Sequence, residues 1–339
     1  MSKSALPFDD IRNLLHDLPR GSDLAEEAAR ARDALLVKPG GSLGRLEEIA
    51  FWLARWQGRE RPRIDKPFAV VFAANHGVHA QEVSPAPQSL TRQMLETFAA
   101  GGGAVNQIAG TFGIGLKVFE LALDYPTGDI TREAALDEQG AAATFAFGME
   151  AIAGEPDLLC LGETGVGNTT VAAAIYAALY GGDVRGWTGR SAGADDATFE
   201  RKVAAVTAAL ECHADQLSDP LEIMRRIGGR EICALAGAIV AARLQGIPVV
   251  LDGYTVCAAA SLLQALNPAA LDHCIAGHVA PHGAHREVLR RLGKTPLLEL
   301  GIDLGEAAGA SLAAGIIKAA VASHTDMATR EQAGVTGLP

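Results

Sequence analysis

The sequence predicts an α/β fold, a mostly parallel sheet covered on both faces by helices. Two observations predict it. From Phe68 onward, short apolar runs of strand length alternate with longer helical stretches, the order expected of repeated strand–helix–strand units. Each apolar run also stops at a polar or glycine-bearing tip, and in a parallel sheet such tips gather along one edge, where ligands bind.

The first sixty-odd residues read as helical, with amphipathic runs over 23–36 and 42–57. Between them Pro39, Gly40 and Gly41 end the first run, and Ser42, with Arg45-Leu46-Glu47 behind it, suits an N-cap for the second. The basic, Pro-rich stretch 58–67 reads as a linker. Strands are then predicted at 68–73, 116–123, 158–161, 248–251 and 274–276, and helices at 89–99, 169–180, 200–210, 232–244 and 255–266. Polar residues recur just after the strands: Asn75, His76, Asp124, Glu163, Asp252 and His278. Each alone could be a turn former or a cap, but together they make the shared edge a site candidate. The last segment runs from Leu304-Gly305-Glu306 into a long Ala/Ile/Leu helix, with Glu306 expected in its first turn. A carboxylate there offsets the helix dipole; it is also placed to be a general base, its proton affinity lowered by the dipole and raised by apolar burial.

The chain is organised around Leu158-Leu159-Cys160-Leu161-Gly162-Glu163-Thr164-Gly165-Val166-Gly167-Asn168-Thr169-Thr170, a buried strand that breaks into three glycines and restarts as a helix. Glycine permits positive φ and close approach of a ligand, so this turn and helix start present amide N–H groups to an anion such as a phosphate. The spacing Gly-x-x-Gly-x-Gly reverses the dinucleotide fingerprint and lacks the Gly-Lys-Ser/Thr ending of a nucleoside triphosphate loop, which disfavours both, including a dinucleotide oxidoreductase. A tight strand-to-helix turn with a Thr cap is the plain structural alternative. Glu163, at the C-terminal end of the strand, favours a site.

Composition bounds the partners. A chain of 339 residues, 49% hydrophobic and 20% charged, can bury a large core. A net charge of -11 argues against nucleic acid or an anionic membrane and toward a small molecule. Five cysteines are scattered without metal-type spacing and read as small core residues, so no metal is expected. The start has no apolar signal-peptide core, and polar residues interrupt the Ala-rich runs before they could span a bilayer, so a cytoplasmic protein is expected.

Taken together these segments resemble the nicotinate-nucleotide:dimethylbenzimidazole phosphoribosyltransferases of cobalamin biosynthesis, nearly end to end. The resemblance is carried by Lys38-Pro39 with Gly41-Ser42-Leu43-Gly44-Arg45-Leu46-Glu47, by Asn75-His76-Gly77-Val78, by Gly101-Gly102-Gly103-Ala104-Val105-Asn106 and by the glycine turn. Gly228-Gly229-Arg230-Glu231-Ile232, Leu251-Asp252-Gly253-Tyr254, Leu304-Gly305-Glu306 and Met327-Ala328-Thr329 continue it. It implies a homodimer with a Rossmann-like, doubly wound large domain over 67–300 and a smaller helical domain from both chain ends, 1–66 and 301–339. It also implies a reaction: ribose 5-phosphate passes from nicotinate mononucleotide to 5,6-dimethylbenzimidazole or a related azaheterocycle with anomeric inversion, giving α-ribazole 5'-phosphate and nicotinate, without cofactor. By the same resemblance Glu306 is the base and Glu163 assists it. Gly165, Gly167, Asn168, Thr169 and Lys202 would hold the phosphate and ribose, with Asn75, His76, His278, Asp303 and Leu304 as further pocket residues.

The pocket segments depart from the family pattern. A usual Met-Arg-Leu-Gly-Glu-Gly-Thr-Gly-Ala is here Ile302-Asp303-Leu304-Gly305-Glu306-Ala307-Ala308-Gly309-Ala310. A usual His-x-Ser-x-Glu-Pro-Gly-His is His278-Val279-Ala280-Pro281-His282-Gly283-Ala284-His285, and a usual Gly-x-Gly-Thr-Gly is Gly189-Arg190-Ser191-Ala192-Gly193. An acid at 303 in place of a cation is expected to weaken the hold on an anionic substrate, with Arg190 and His282 as compensating groups. Asp303, Ala307 and Ala308 also support a second reading, a divergent paralogue that binds a nucleotide or benzimidazole with reduced or lost turnover.

Overall fold

The computed structural model describes residues 7–190 and 193–336; Ser191 and Ala192, part of one departure named above, lie outside the described residues. Five parallel strands form one sheet: β1 Pro67–Ala73, β2 Gly115–Glu120, β3 Leu158–Thr164, β4 Val249–Leu251 and β5 Cys274–Ala276, in the spatial order β2-β1-β3-β4-β5. The period-2 alternation of a strand divides its side chains between two cores. Val70, Phe72, Leu159, Leu161, Val249 and Leu251 face helices Glu138–Ala151, Asn168–Tyr180, Arg230–Leu244 and Gly253–Leu266. Ala69, Val71, Cys160 and Val250 face helices Arg45–Gln57, Ala104–Phe112 and Ala308–Asp326. Burial on both faces is why these strands read as continuous apolar runs.

The strand order fixes where a ligand can sit. From β1 the chain goes outward to β2 and then returns past β1 to β3, so the winding reverses between β1 and β3 and opens a crevice beyond their C-terminal ends. In-register pairing of Phe72 with Glu163 and Ala73 with Thr164 brings the tips of β1 and β3 to that crevice together.

Several local expectations are corrected. β2 ends at Glu120, not 123, because Leu121 donates its N–H to Ala73 O and Ala122 turns the chain at φ 51. Ser42 is not an N-cap: residues 39–44 form consecutive turns and the helix starts after Gly44 at φ 53. The helix expected to carry Glu306 in its first turn begins at Ala308, capped by Ala307 in the left-handed region, so Glu306 stands just before it. Among the described residues no helix is long and apolar enough to cross a membrane.

The chain ends are tied to each other. Val37 N–H donates to Ala328 O and Arg330 N–H to Leu35 O, while Arg32 reaches His324 O and Thr325 O. Lys38 is buried between Asp33 and Glu47, 2.7 Å from each, and Arg45 donates to Thr295 O and Pro296 O. The Lys-Pro…Arg-Leu-Glu segment thus clamps the N-terminal helices to the approach of the last one. Removing the ammonium leaves two buried carboxylates facing each other. Lys38→Met is expected to lower stability by about 3–5 kcal/mol, read as a lower urea midpoint.

Candidate functional site

A cavity of about 310 Å³ opens at the predicted crevice, walled by Glu163 to Thr169 on one side, Asp303 to Glu306 on another, and Tyr254, Thr255, His278 and His282 between them. Residues Ser84, Ala86 and Leu90 close it from the β1 side.

The glycine turn builds the first wall. Gly165 lies against Ala74, where a Cβ would come within 2.3 Å of the carbonyl oxygen, and Gly167 at φ 97 is the N-cap of helix Asn168–Tyr180. Gly167 has no side chain to cap this N-terminus, so the turn and the first residue of the helix can offer amides to an anion. Asn168 donates its side-chain N–H to Glu163 Oε2 and accepts at Oδ1 from Thr169 N, at 2.8 Å. Behind the turn, Lys202 is fully buried on helix Asp196–His213 and donates to Thr169 Oγ1 at 3.0 Å and to Gly189 O at 2.9 Å.

The second wall comes from the far end of the chain. Glu306 donates its main-chain N–H to Glu163 O at 2.9 Å, which docks the segment onto the tip of β3. Ala307 packs on Gly162, where a Cβ would lie 2.0 Å from its nitrogen. Asp252, buried after β4, accepts from Ala310 N at 2.8 Å and so fixes the start of the last helix. Both Glu306 and Ala307 adopt left-handed conformations, at φ 69 and 62, an arrangement that costs on the order of 1–3 kcal/mol per residue and concentrates at functional segments.

Burial governs the electrostatics. Desolvation, then the negative charge of Glu231, pushes the Glu163 carboxyl up to about 8. Desolvation likewise raises Glu306 to about 7 and Asp252 to about 7, and lowers Lys202 to about 8. His278 and His282 are pushed down to about 4 by burial, so both are neutral imidazoles at neutral pH. Two carboxyls lining the cavity, Glu163 and Glu306, with Asp252 buried behind them, are therefore raised into the neutral range.

Of the residues singled out from the sequence, Glu163, Gly165, Gly167, Asn168, Thr169, His278, Asp303, Leu304 and Glu306 line the cavity. Lys202, Asn75 and His76 stand behind the wall. Asn75 donates to Leu123 O and accepts from Thr91, bracing the end of β1, and His76 lies 2.9 Å from Glu231. Asp124 is at the surface, paired with Arg92. Arg190 does not compensate for Asp303: it pairs with Asp196 at the surface and stacks over Phe199. His282 approaches Asp303, at 4.0 Å, but as a neutral imidazole it does not supply the missing positive charge either. Sequence reasoning missed Glu231, Tyr254 and Thr255 as neighbours of the site. Glu231 and Tyr254 stood within motifs that carry the resemblance but were given no role, and Thr255 follows the second of these motifs, Asp-Gly-Tyr-Thr.

Comparison with known proteins agrees with this architecture. Residues 19–335 match the model of a family described as Phosphoribosyltransferase. The chain is 63% identical over 337 residues to a protein of Methylocella silvestris named nicotinate-nucleotide--dimethylbenzimidazole phosphoribosyltransferase, covering 99% of both. A Rhizobium etli protein of the same name is 62% identical, again over 99% of both chains. A crystal structure of the Thermus thermophilus protein of that name superposes with a TM-score of 0.85 at 36% identity, over 93% of this chain and 99% of that one.

Proposed function

The chain belongs to the nicotinate-nucleotide–dimethylbenzimidazole phosphoribosyltransferase family, and from that premise we propose that it moves ribose 5-phosphate from nicotinate mononucleotide to 5,6-dimethylbenzimidazole. One observation carries the reading of its site: an anion-receiving glycine turn and a buried carboxylate, Glu306, face each other across one cavity and are joined by the Glu306 N–H to Glu163 O bond.

The chemistry asks for little else. Nicotinate leaves from a pyridinium, taking the bonding pair onto a positively charged nitrogen, so the breaking C–N bond neutralises its own leaving group. The incoming ring nitrogen of benzimidazole attacks the anomeric carbon from the opposite face, inverting it from β to α. Its other nitrogen must lose a proton, and Glu306 takes it. The amides of Gly165, Gly167 and Asn168 hold the phosphate, with Lys202 supplying positive charge through Thr169 from behind. Glu163, docked under Glu306 and bonded to Asn168, orients the ribose side of the pocket. Leu304 and Tyr254 offer apolar surface to the flat base. Aligning two bound substrates can contribute as much as the base itself.

The relatives named for this enzyme at 63% and 62% identity support turnover over the alternative of a binding protein. A cytoplasmic homodimer, with segments 1–66 and 301–339 acting as one helical unit that carries Glu306 to the pocket, completes the reading. Incubation of purified protein with both substrates tests it: α-ribazole phosphate and nicotinate should form, and no product at high enzyme concentration would sink it.

Asp303 is the residue that fits least well. Half-exposed beside the cavity, it faces Lys202 and His282, and burial raises its carboxyl above the ordinary range. Its residual negative charge still opposes a phosphate. Asp303→Arg is expected to lower the KM for nicotinate mononucleotide roughly two- to fivefold, leaving the KM for benzimidazole unchanged; steady-state kinetics with each substrate varied separately checks both.

A further inference from the structure

Directly beneath the glycine turn lies a pair of side chains that the transfer chemistry does not use. His76, at the tip of β1, and Glu231, in the first turn of helix Arg230–Leu244, are both fully buried, with His76 Nε2 2.9 Å from Glu231 Oε1. None of the four polar atoms of the pair makes an aligned hydrogen bond among the described residues. Burying two ionisable groups with so little compensation costs stability. An apolar pair of similar volume would fill the same space without that cost, so the cost calls for a functional reason.

The surroundings supply one. The imidazole is wedged between two glycine turns. At Gly167 an added Cβ would meet His76 Cβ at 3.3 Å, and at Gly165 it would lie 3.7 Å from His76 Nε2. At Gly229 it would collide with His76 Cε1 at 2.4 Å and with Glu231 Oε2 at 2.7 Å. From the same residue, His76 O accepts from Gln88 Nε2 at 2.7 Å, which ties the pair to the 84–90 wall of the cavity.

The geometry points to His76 and Glu231 as a positioning pair: the imidazole props the glycine turn in its anion-receiving shape, and Glu231, 2.9 Å from His76 Nε2, holds the imidazole in that place. Neither residue touches substrate. Both work through Gly165 and Gly167, so loosening either should loosen the turn. The inference rests on the function proposed above only in using its nucleotide as a probe.

The pair is read by calorimetry with nicotinate mononucleotide alone: His76→Gln should bind it about tenfold more weakly, with dimethylbenzimidazole binding unchanged. Equal nucleotide affinity in wild type and His76→Gln overturns the inference; if His76→Gln does not fold, unchanged nucleotide affinity in Glu231→Leu, which leaves the imidazole unheld, overturns it instead. A protein that binds the nucleotide and shows the loss on substitution but forms no product would refute transfer while upholding the pair.

Discussion

Replacing Glu306 with glutamine is expected to lower kcat by about 10²–10⁴-fold while the KM for nicotinate mononucleotide stays within a few-fold of wild type. Glutamine keeps the size of the side chain and leaves the main-chain bond from residue 306 to Glu163 O intact, so the segment should stay docked. What it removes is the lone pair that accepts the benzimidazole proton. The effect belongs in kcat because nucleotide binding draws on the opposite wall. The pH dependence gives an independent check. Burial holds the Glu306 carboxyl at about 7, above the ordinary glutamate value, so it is largely neutral below that pH and cannot accept a proton there. In the wild type kcat should therefore rise with pH, about tenfold per unit below 7, and level off above it. The residual rate of Glu306→Gln should lack this ascending limb. A limb that survives the substitution would assign the base to another group, Glu163 or Asp252, which are raised to about 8 and about 7.

How far the site could be seen in advance depends on the range of the interactions involved. The strand, glycine turn and helix of 158–180 were legible because apolar run, glycine spacing and Ala-rich periodicity are all local; β3 starts and its following helix ends where they placed them, but the strand runs on to Thr164, so Gly162 and Glu163 lie inside it rather than at the turn. The same holds for the parallel sheet, since the burial of β1, β3 and β4 on both faces is written in their own few residues, while the edge strand β2 is only partly covered. Glu306 shows the limit. Leu-Gly-Glu-Ala-Ala reads as the opening of an alanine-rich helix, yet Glu306 and Ala307 are both left-handed, a conformation that non-glycine side chains do not advertise. Tertiary contacts hold them there: Gly162 beneath Ala307, and Asp252 on Ala310 N. His76 and Glu231 show a second limit. His76 resembles a turn or cap residue in its own segment, Glu231 carries no local signal of a partner, and only the packing of helix Arg230–Leu244 on the sheet brings them together. Lys202 was identified by resemblance, but its place behind Thr169 rather than on the cavity surface depends on how helix Asp196–His213 packs.

Gly162→Ala is expected to lower kcat by about 10²-fold and stability by about 1–3 kcal/mol. Gly162 lies inside β3, where glycine is ordinarily unfavourable, and its φ is not among the positive ones, so backbone freedom does not explain it. Space does. A methyl group here would sit 2.0 Å from Ala307 N, 2.6 Å from its Cα and 2.7 Å from its Cβ, all far inside contact distance. The sheet cannot yield, because β3 is paired with β1 on one side and with β4 on the other. The 305–308 segment is the part that can move, and it carries Glu306. An alanine at 162 therefore lifts the base away from Glu163 and breaks the bond between Glu306 N–H and Glu163 O. The nucleotide turn, three residues further along, is left in place. The expected signature is a kcat defect with near-normal nucleotide affinity, accompanied by a lower melting temperature. Adding Ala307→Gly, which removes the methyl from the opposing residue and suits φ 62, should restore part of both. Nucleotide binding lost in parallel with kcat would show instead that the substitution disturbs the glycine turn, and that the two walls of the cavity are not separable.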